Sequence, residues 1–434
     1  MLREQRNIFR KMKKAKILLQ NVLLGEEREN IIITDSKILS IGKKTAEAEE
    51  VIDCANLWVF PGIIDPHVHM RDLELAAKED WKSGSTAAIR GGFTGVFDMP
   101  NTKPATTNQK NLDLKRKAAE KSKVNKWYYL GATNTNYKKL RSILEEEPKD
   151  VIGIKVFLSA SSSNDILSNV KELRKVFELG GEFNKVITIH DELEKFITPK
   201  YKFAQKIENH NLFRNRKAAI TGLDICLDLS TSIGNTINIA HVTTKEEVEM
   251  LRTARVDGVP VYCEVSPHHL LLNETICPQM GNISKVNPPL RTAEDNVALW
   301  EGINNYTIDM IGSDHAPHSS RDKRKAYSTA PSGFPGLDTS LRLLLTCVHQ
   351  GRLSKERLID LMSSKIVNIF GLEDYGKIKE GNTANLTIID PEQEGVIRGR
   401  RNRSKAKYTP FEEFRYKGAP VYTIVNGKIN EVNR

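Results

Sequence analysis

The chain has 434 residues, 39% of them apolar and 28% charged, enough apolar material for a large buried core, which excludes a disordered or fibrous protein. The formal charge of +10 is concentrated in two places: residues 1–16 carry seven Lys/Arg against one Glu, and Arg398–Lys407 carry six against none. The remainder is near neutral, with no basic stripe interleaved with aromatics, so both patches read as solvated segments and not as a nucleic-acid footprint.

In chain order, the basic start "MLREQRNIFRKMKKAKILLQNVLL" lacks the apolar core and small-residue cleavage site of a secretory leader. Residues 1–12 are set apart as a basic extension, with Met12 an alternative start. No apolar run reaches the ~20 residues that cross a bilayer. Five scattered cysteines (Cys54, Cys226, Cys263, Cys277, Cys347) include no CxxC pair, so neither a zinc ribbon nor a disulfide framework is expected, and a reducing cytoplasm is the expected location.

"ENIIITDSKILSIG" alternates apolar and polar residues around a turn signal and predicts antiparallel strands. Eight β-branched runs ending in polar residues follow: "VFPGIIDPHVH", "GGFTGVFDMPN", "KWYYLGATN", "DVIGIKVFLS", "KVITIHDE", "NTINIAHVT", "GVPVYCEVSPHH" and "YTIDMIGSDHAPH". Amphipathic segments such as "NLDLKRKAAEKSK" and "SNVKELRKVFELG" separate them, which predicts an α/β fold, a (β/α)8 TIM barrel over residues 61–371. "GNTANLTIIDPE" and "VYTIVNGKINEV", the latter with an Asn-Gly hairpin turn, return to antiparallel strands. Residues 13–60 and 372–434 are therefore expected to pair into one composite β-sandwich.

Chemistry in such barrels sits at the strand C-termini, which gathers His67, His69, Asn101, Lys155, His190, His241 and Asp314 around one mouth. Alternate strand residues face the same way, so His67 and His69 both point inward. Two histidines on one strand alone would read as hydrogen-bonded structural groups; with His190, His241 and Asp314 on the same rim they read as metal ligands. Lys155, in "GIKVF", lies inside an apolar strand where burial lowers an ammonium pKa. It could anchor a carboxylate, form a Schiff base, or take up carbon dioxide as a carbamate that bridges two cations. Arg71 offers a planar fork suited to a carboxylate. On their own, Asn101 reads as a turn residue, Asn287 as a loop cap and His318 as a surface histidine.

These residues resemble the metal-dependent amidohydrolases and, within them, the dihydroorotases, over nearly the whole chain. "HVHMRD", "DMPNTKP", "SPHHLLL", "KVNPPLR", "SDHAPH" and "PSGFPGLDTSLRLLL" carry the narrower likeness, with "KVNPPLR" and "SDHAPH" the segments that separate it from allantoinases and dihydropyrimidinases. The resemblance implies two zinc ions (Zn2+). His67, His69 and Asp314 would hold the more buried one, His190 and His241 the second, and N6-carboxylated Lys155 would bridge them. It implies interconversion of N-carbamoyl-L-aspartate and L-dihydroorotate, a step of pyrimidine biosynthesis, by a metal-bridging hydroxide, with Asp314 as acid/base. Arg71, Asn101 and His318 would contact the substrate carboxylate and Asn287 the ring amides.

Two departures from the family pattern stand out: "RDLELAAKED" after Arg71, and the basic "RGRRNRSKAK", which reads as a surface insertion. The hydroxyl-rich "LSASSSNDILS" after Lys155 is either a closing lid or a connector. His268 and His269 read as packing around the mouth, and His210 and His349 receive no role. Two other readings remain: another cyclic-amide hydrolase, or a catalytically inactive partner of aspartate carbamoyltransferase. The intact ligand set opposes the latter, and an active enzyme could also associate with that transferase.

Overall fold

The computed structural model describes residues 15–160, 166–197 and 206–432. The extension 1–12 and the stretch Ser161–Ser163 lie outside them. The first four strands, β1 (Ala15–Leu24), β2 (Glu27–Thr34), β3 (Lys37–Gly42) and β4 (Ala48–Asp53), form a sheet in the order β3-β2-β1-β4. β2–β3 is antiparallel, as "ENIIITDSKILSIG" predicts; β1 pairs antiparallel with β2, and β4 joins β1 in parallel, a pairing the sequence did not announce. In "AEEVID" only Ile52 is buried, so β4 is defined by its partner and not by its own alternation. β5 (Trp58–Pro61) belongs to a different sheet.

The barrel is built from β6 (Ile63–Val68), β7 (Phe93–Asp98), β8 (Asn125–Gly131), β9 (Val151–Phe157), β10 (Val186–His190), β11 (Ile237–Ile239), β12 (Val261–Val265) and β13 (Met310–Ile311). Each lies parallel beside its chain neighbour, and a parallel bridge between Val68 and His315 closes the ring. Apolar residues at near-continuous positions, among them Ile63, Val96, Ile154, Ile187, Ile239 and Val265, form its core, as strands covered on both faces require. Helices are set by local chemistry. Trp81–Gly91 starts on an Asp80/Ser83 capping box and stops at left-handed Gly92, and Lys245–Val256 starts on a Thr244/Glu247 box. The segment read as "NLDLKRKAAEKSK" is helical over Gln109–Ala118, and "SNVKELRKVFELG" over Val170–Glu182.

The chain ends in β14 (Leu386–Val396), β15 (Arg415–Val425) and β16 (Lys428–Glu431), which with β5 make an antiparallel sheet ordered β16-β15-β14-β5. Asn426 and Gly427, both at positive φ, make the hairpin turn between β15 and β16. Ile17, Leu19, Ile31 and Ile33 of the first sheet pack with Leu386, Ile388 and Ile424 of this one into a shared aliphatic core. The run "VFPGIIDPHVH" therefore supplies two strands to two sheets. Gly62 is the crossing point: a Cβ there would lie 2.5 Å from Thr94 Oγ1 and 2.9 Å from Asn385 O.

The basic segment Arg398–Lys407 is not a solvated surface insertion. From Arg401 to Tyr408 exposed and buried residues alternate, with Asn402, Ser404, Ala406 and Tyr408 turned inward and the basic side chains outward. Buried carboxylates hold it. Asp338 accepts from the Arg403 and Ser404 amides, and Glu79 accepts from the Lys405 amide and the Ser404 hydroxyl. Its charge is real, but every second side chain docks.

Candidate metal centre and substrate pocket

His67 and His69 sit at the end of β6, where the strand period turns both rings to the barrel interior. Asp314, just past β13, places Oδ1 at 3.1 Å from His69 Nε2 and 3.6 Å from His67 Nε2. The three residues are buried, and each offers a ligand atom within 4.8 Å of the others. His190 ends β10 and His241 follows β11; His190 Nδ1 lies 3.0 Å from His241 Nε2. The His241 ring is 5.2 Å from that of His67, which joins this pair to the triad.

Burial lowers His69 to about 3 and His190 to about 4, and drives His241 well below the ordinary histidine value. All three are therefore neutral near pH 7, the form that ligates cations. Burial would raise Asp314, but the His69 hydrogen bond and the neighbouring His67 bring it below the usual carboxylate range, so it is ionised. Lys155, fully buried in β9, is lowered to about 8 by burial against the pull of Glu264, Asp314 and Asp191. Its Nζ has no hydrogen-bond partner among the described residues.

Above this cluster Arg71, Phe157, Val286, Asn287, Ser332 and Gly333 wall a cavity that also touches the four histidines and Asp314. Arg71 is 2% exposed, and its Nε has no partner among the described residues. Burial pulls it down to about 10, so it keeps its charge. Its Nη2 lies 3.3 Å from His318 Nε2, which is also 2.9 Å from the Ser332 carbonyl, so His318 is a buried pocket residue and not a surface histidine. Asn101 is drawn to the histidine cluster: its Oδ1 is 2.6 Å from His69 Nδ1. Asn287 reaches the cavity, with Oδ1 at 3.1 Å from His210 Nε2.

The loop after β6 takes its unusual shape from three consecutive residues at positive φ, Arg71, Asp72 and Leu73. The Asp72 carboxylate fixes it by accepting from the Leu73 and Trp81 amides. His268 and His269 are buried and packed on each other, and His269 Nε2 meets the Pro288 carbonyl at 3.1 Å, in line with a packing role.

Three contributors escaped sequence reasoning. Glu264 on β12 accepts a short hydrogen bond from His67 Nδ1. Glu192 lies 3.0 Å from His190 Nε2 and is gripped by Arg214 at 2.7 Å. His210 is buried, and its Nε2 lies 2.8 Å from the Val286 carbonyl and 3.1 Å from Asn287 Oδ1. The signal for Glu264 was the one that exposed Lys155, a charged residue inside an apolar strand. Glu192 stands two residues beyond His190, on the same face if the strand continued.

The amidohydrolase family model matches residues 58–430, spanning the whole barrel and most of the last sheet. The chain belongs to the amidohydrolase family. A protein of Methanosphaera stadtmanae named dihydroorotase is 33% identical, with 96% of each chain covered. One of Methanothermobacter thermautotrophicus with the same name is 35% identical over 92% of this chain and 90% of its own. Among solved structures, the L-hydantoinase (dihydropyrimidinase) of Arthrobacter aurescens superposes with a TM-score of 0.91 at 31% identity, covering 96% of each chain. A D-hydantoinase of Thermus sp. gives 0.87 at 26%, over 95% of this chain and 94% of that one. This amidohydrolase is accordingly a cyclic amidohydrolase enzyme with a (β/α)8 barrel. No helix among its described residues is long and apolar enough to cross a membrane.

Proposed function

We propose that this enzyme is a dihydroorotase, which interconverts N-carbamoyl-L-aspartate and L-dihydroorotate in the cytoplasm as a step of pyrimidine synthesis. The observation that carries the reading is Arg71. A buried guanidinium whose Nε has no partner among the described residues, beside the ligand cluster, calls for an anionic substrate, because an unpaired buried charge is costly. The dihydroorotate ring bears a carboxylate that would fill this need; hydantoin and dihydrouracil do not. The relatives named dihydroorotase support the same choice. A second reading, hydrolysis of uncharged hydantoin-like rings, draws on the likeness to the Arthrobacter hydantoinase.

The donor set fits two divalent cations such as zinc. His67, His69 and Asp314 converge on one point, and His190 Nδ1 and His241 Nε2 on another. Lys155, in electrostatic contact with Asp314, His190 and His241 and with no hydrogen-bond partner for Nζ among the described residues, is suited to bridge them as a carbamate. Bound there, such cations polarise an amide carbonyl and lower the pKa of water from 15.7 to about 7. The protein's own part is binding and proton movement. Arg71 and His318 hold the substrate carboxylate, aided by Asn101, and Asn287 faces the ring amides. In hydrolysis Asp314 accepts a proton from the attacking water and delivers it to the ring nitrogen as the C–N bond breaks. In the reverse direction the ionised Asp314 takes the proton from the ureido nitrogen as that nitrogen attacks the carboxylate, and passes it to the departing oxygen; ring closure consumes one proton overall, so low pH favours it and high pH favours opening.

Turnover of dihydroorotate, dihydrouracil, hydantoin and allantoin by wild type and Arg71→Met tests the assignment. Dihydroorotate should be preferred in the wild type, and the variant should lose about 10²-fold or more in kcat/KM for it, the several kcal/mol of a charge-assisted contact, while uncharged rings change little. Preference for an uncharged ring would overturn the reading.

A further inference from the structure

The two halves of the candidate metal site are held from behind in opposite ways. His67 meets the Glu264 carboxylate through Nδ1, which leaves Nε2 facing Asp314. His190 meets the Glu192 carboxylate through Nε2, which leaves Nδ1 facing His241. A carboxylate only accepts, so the ring nitrogen beside it must carry the proton. Both glutamates are 0% exposed, where such a charge-assisted bond has no competition from water.

For His190 there is a rival arrangement. Arg214 Nη2 lies 3.2 Å from His190 Nε2 and could donate to a bare nitrogen there. That would set a lone pair against the Glu192 oxygen at 3.0 Å, while Arg214 already donates from Nη2 to Ser159 Oγ at 2.8 Å and from Nε to Glu192 at 2.7 Å. The carboxylate therefore wins the contest for the Nε2 proton. The anchors also differ in their own support. Each glutamate has one oxygen without a hydrogen-bond partner among the described residues, Glu192 Oε1 and Glu264 Oε2, but Glu192 is also gripped by Arg214 at 2.7 Å and faces Arg291 at 3.6 Å.

We propose that Glu264 and Glu192 are positioning residues that fix His67 and His190 in opposite tautomers, Nδ1–H and Nε2–H, and thereby set the cation affinity of the two halves separately. The affinity half rests on the metal assignment above; the tautomer half does not. A histidine held in the wrong tautomer presents a proton where a cation needs a lone pair, and loss of such an anchor typically lowers affinity about 10–100-fold.

Long-range 1H–15N spectra of histidine-labelled protein, taken with and without zinc, read the tautomers. Zinc competition with a chelator, combined with metal analysis, reads the affinities of wild type, Glu264→Gln, Glu264→Leu and Glu192→Gln. The wild type should show both tautomers as assigned. Glu264→Leu, which removes the acceptor, should weaken one zinc about 10–100-fold and leave the other. Glu264→Gln keeps an acceptor and should lose less, and Glu192→Gln should weaken the other zinc. If Glu264→Leu does not fold, the wild-type spectrum and Glu264→Gln still decide. The same tautomer at both histidines, or two unchanged zinc affinities in every folded variant, would overturn the proposal. A wild type that takes up no zinc but shows the opposite tautomers would overturn the metal assignment instead.

Discussion

The terminal sheets and the barrel mouth are built by opposite rules. Between the sheets, buried side chains are almost all aliphatic, with Ile17, Leu19, Ile31, Ile33, Ile388 and Ile424 at alternating strand positions. Left-handed backbone there falls largely on turn formers such as Gly25, Asp35, Asn426 and Gly427. At the mouth it falls on Asp72, His241 and Asp314 and also on Arg71 and Leu73, which have no intrinsic liking for it and cost about 1–3 kcal/mol each. Buried polar atoms without partners among the described residues gather there too: Arg71 Nε, Lys155 Nζ, His241 Nδ1, Glu264 Oε2 and His318 Nδ1. One region follows most local preferences; the other violates several at once, where substrate and cations would supply the missing partners.

The sharpest separation comes from Lys155→Ala. Activity should fall about 10³-fold or more, the several kcal/mol that cation-assisted polarisation contributes, with loss of bound metal and a thermal midpoint at or above wild type. Partial rescue by short carboxylic acids would support the carbamate. A variant that keeps its activity would remove the mouth's claim to be special. Ile388→Ala is the converse: buried and packed between the sheets, it should cost about 2–5 kcal/mol in urea unfolding with kcat per folded molecule unchanged. A matching loss of kcat would mean the two regions are coupled.

The smallest effect concerns pH. Burial, helped by the Lys285 charge, holds His210 down to about 3. Between pH 6.5 and 3 the unfolded chain binds a proton that the folded chain refuses. Stability is therefore full above pH 6.5 and declines as pH falls toward 3, by up to about 1.4 kcal/mol per pH unit. In His210→Gln the urea midpoint should depend less on pH between 7 and 5; an unchanged slope would locate the acid sensitivity in the other buried histidines.

Much of the site was legible because its elements announce themselves locally. An apolar run closed by His-x-His, a lysine in "GIKVF" and histidines at two further strand ends all follow from strand periodicity and the rule that barrels work at their C-terminal rim. The docking of Arg398–Lys407 was not legible, because its inward side chains are small or polar, and only Asp338 and Glu79, distant in sequence, explain why they are buried. β4 and the two-sheet split at Gly62 were hidden for the same reason: the partner, not the strand, decides.

By itself the sequence determined which residues are chemically able to ligate, bind and move protons, and in which order the strands deliver them, since side-chain chemistry and strand period are local properties. Only the tertiary structure decided which nitrogen of each histidine faces the cavity, that Asn101 leans on His69, and that Glu264 and Glu192 stand behind His67 and His190. Those choices depend on atoms far apart in the chain brought within hydrogen-bonding reach, which no local pattern encodes.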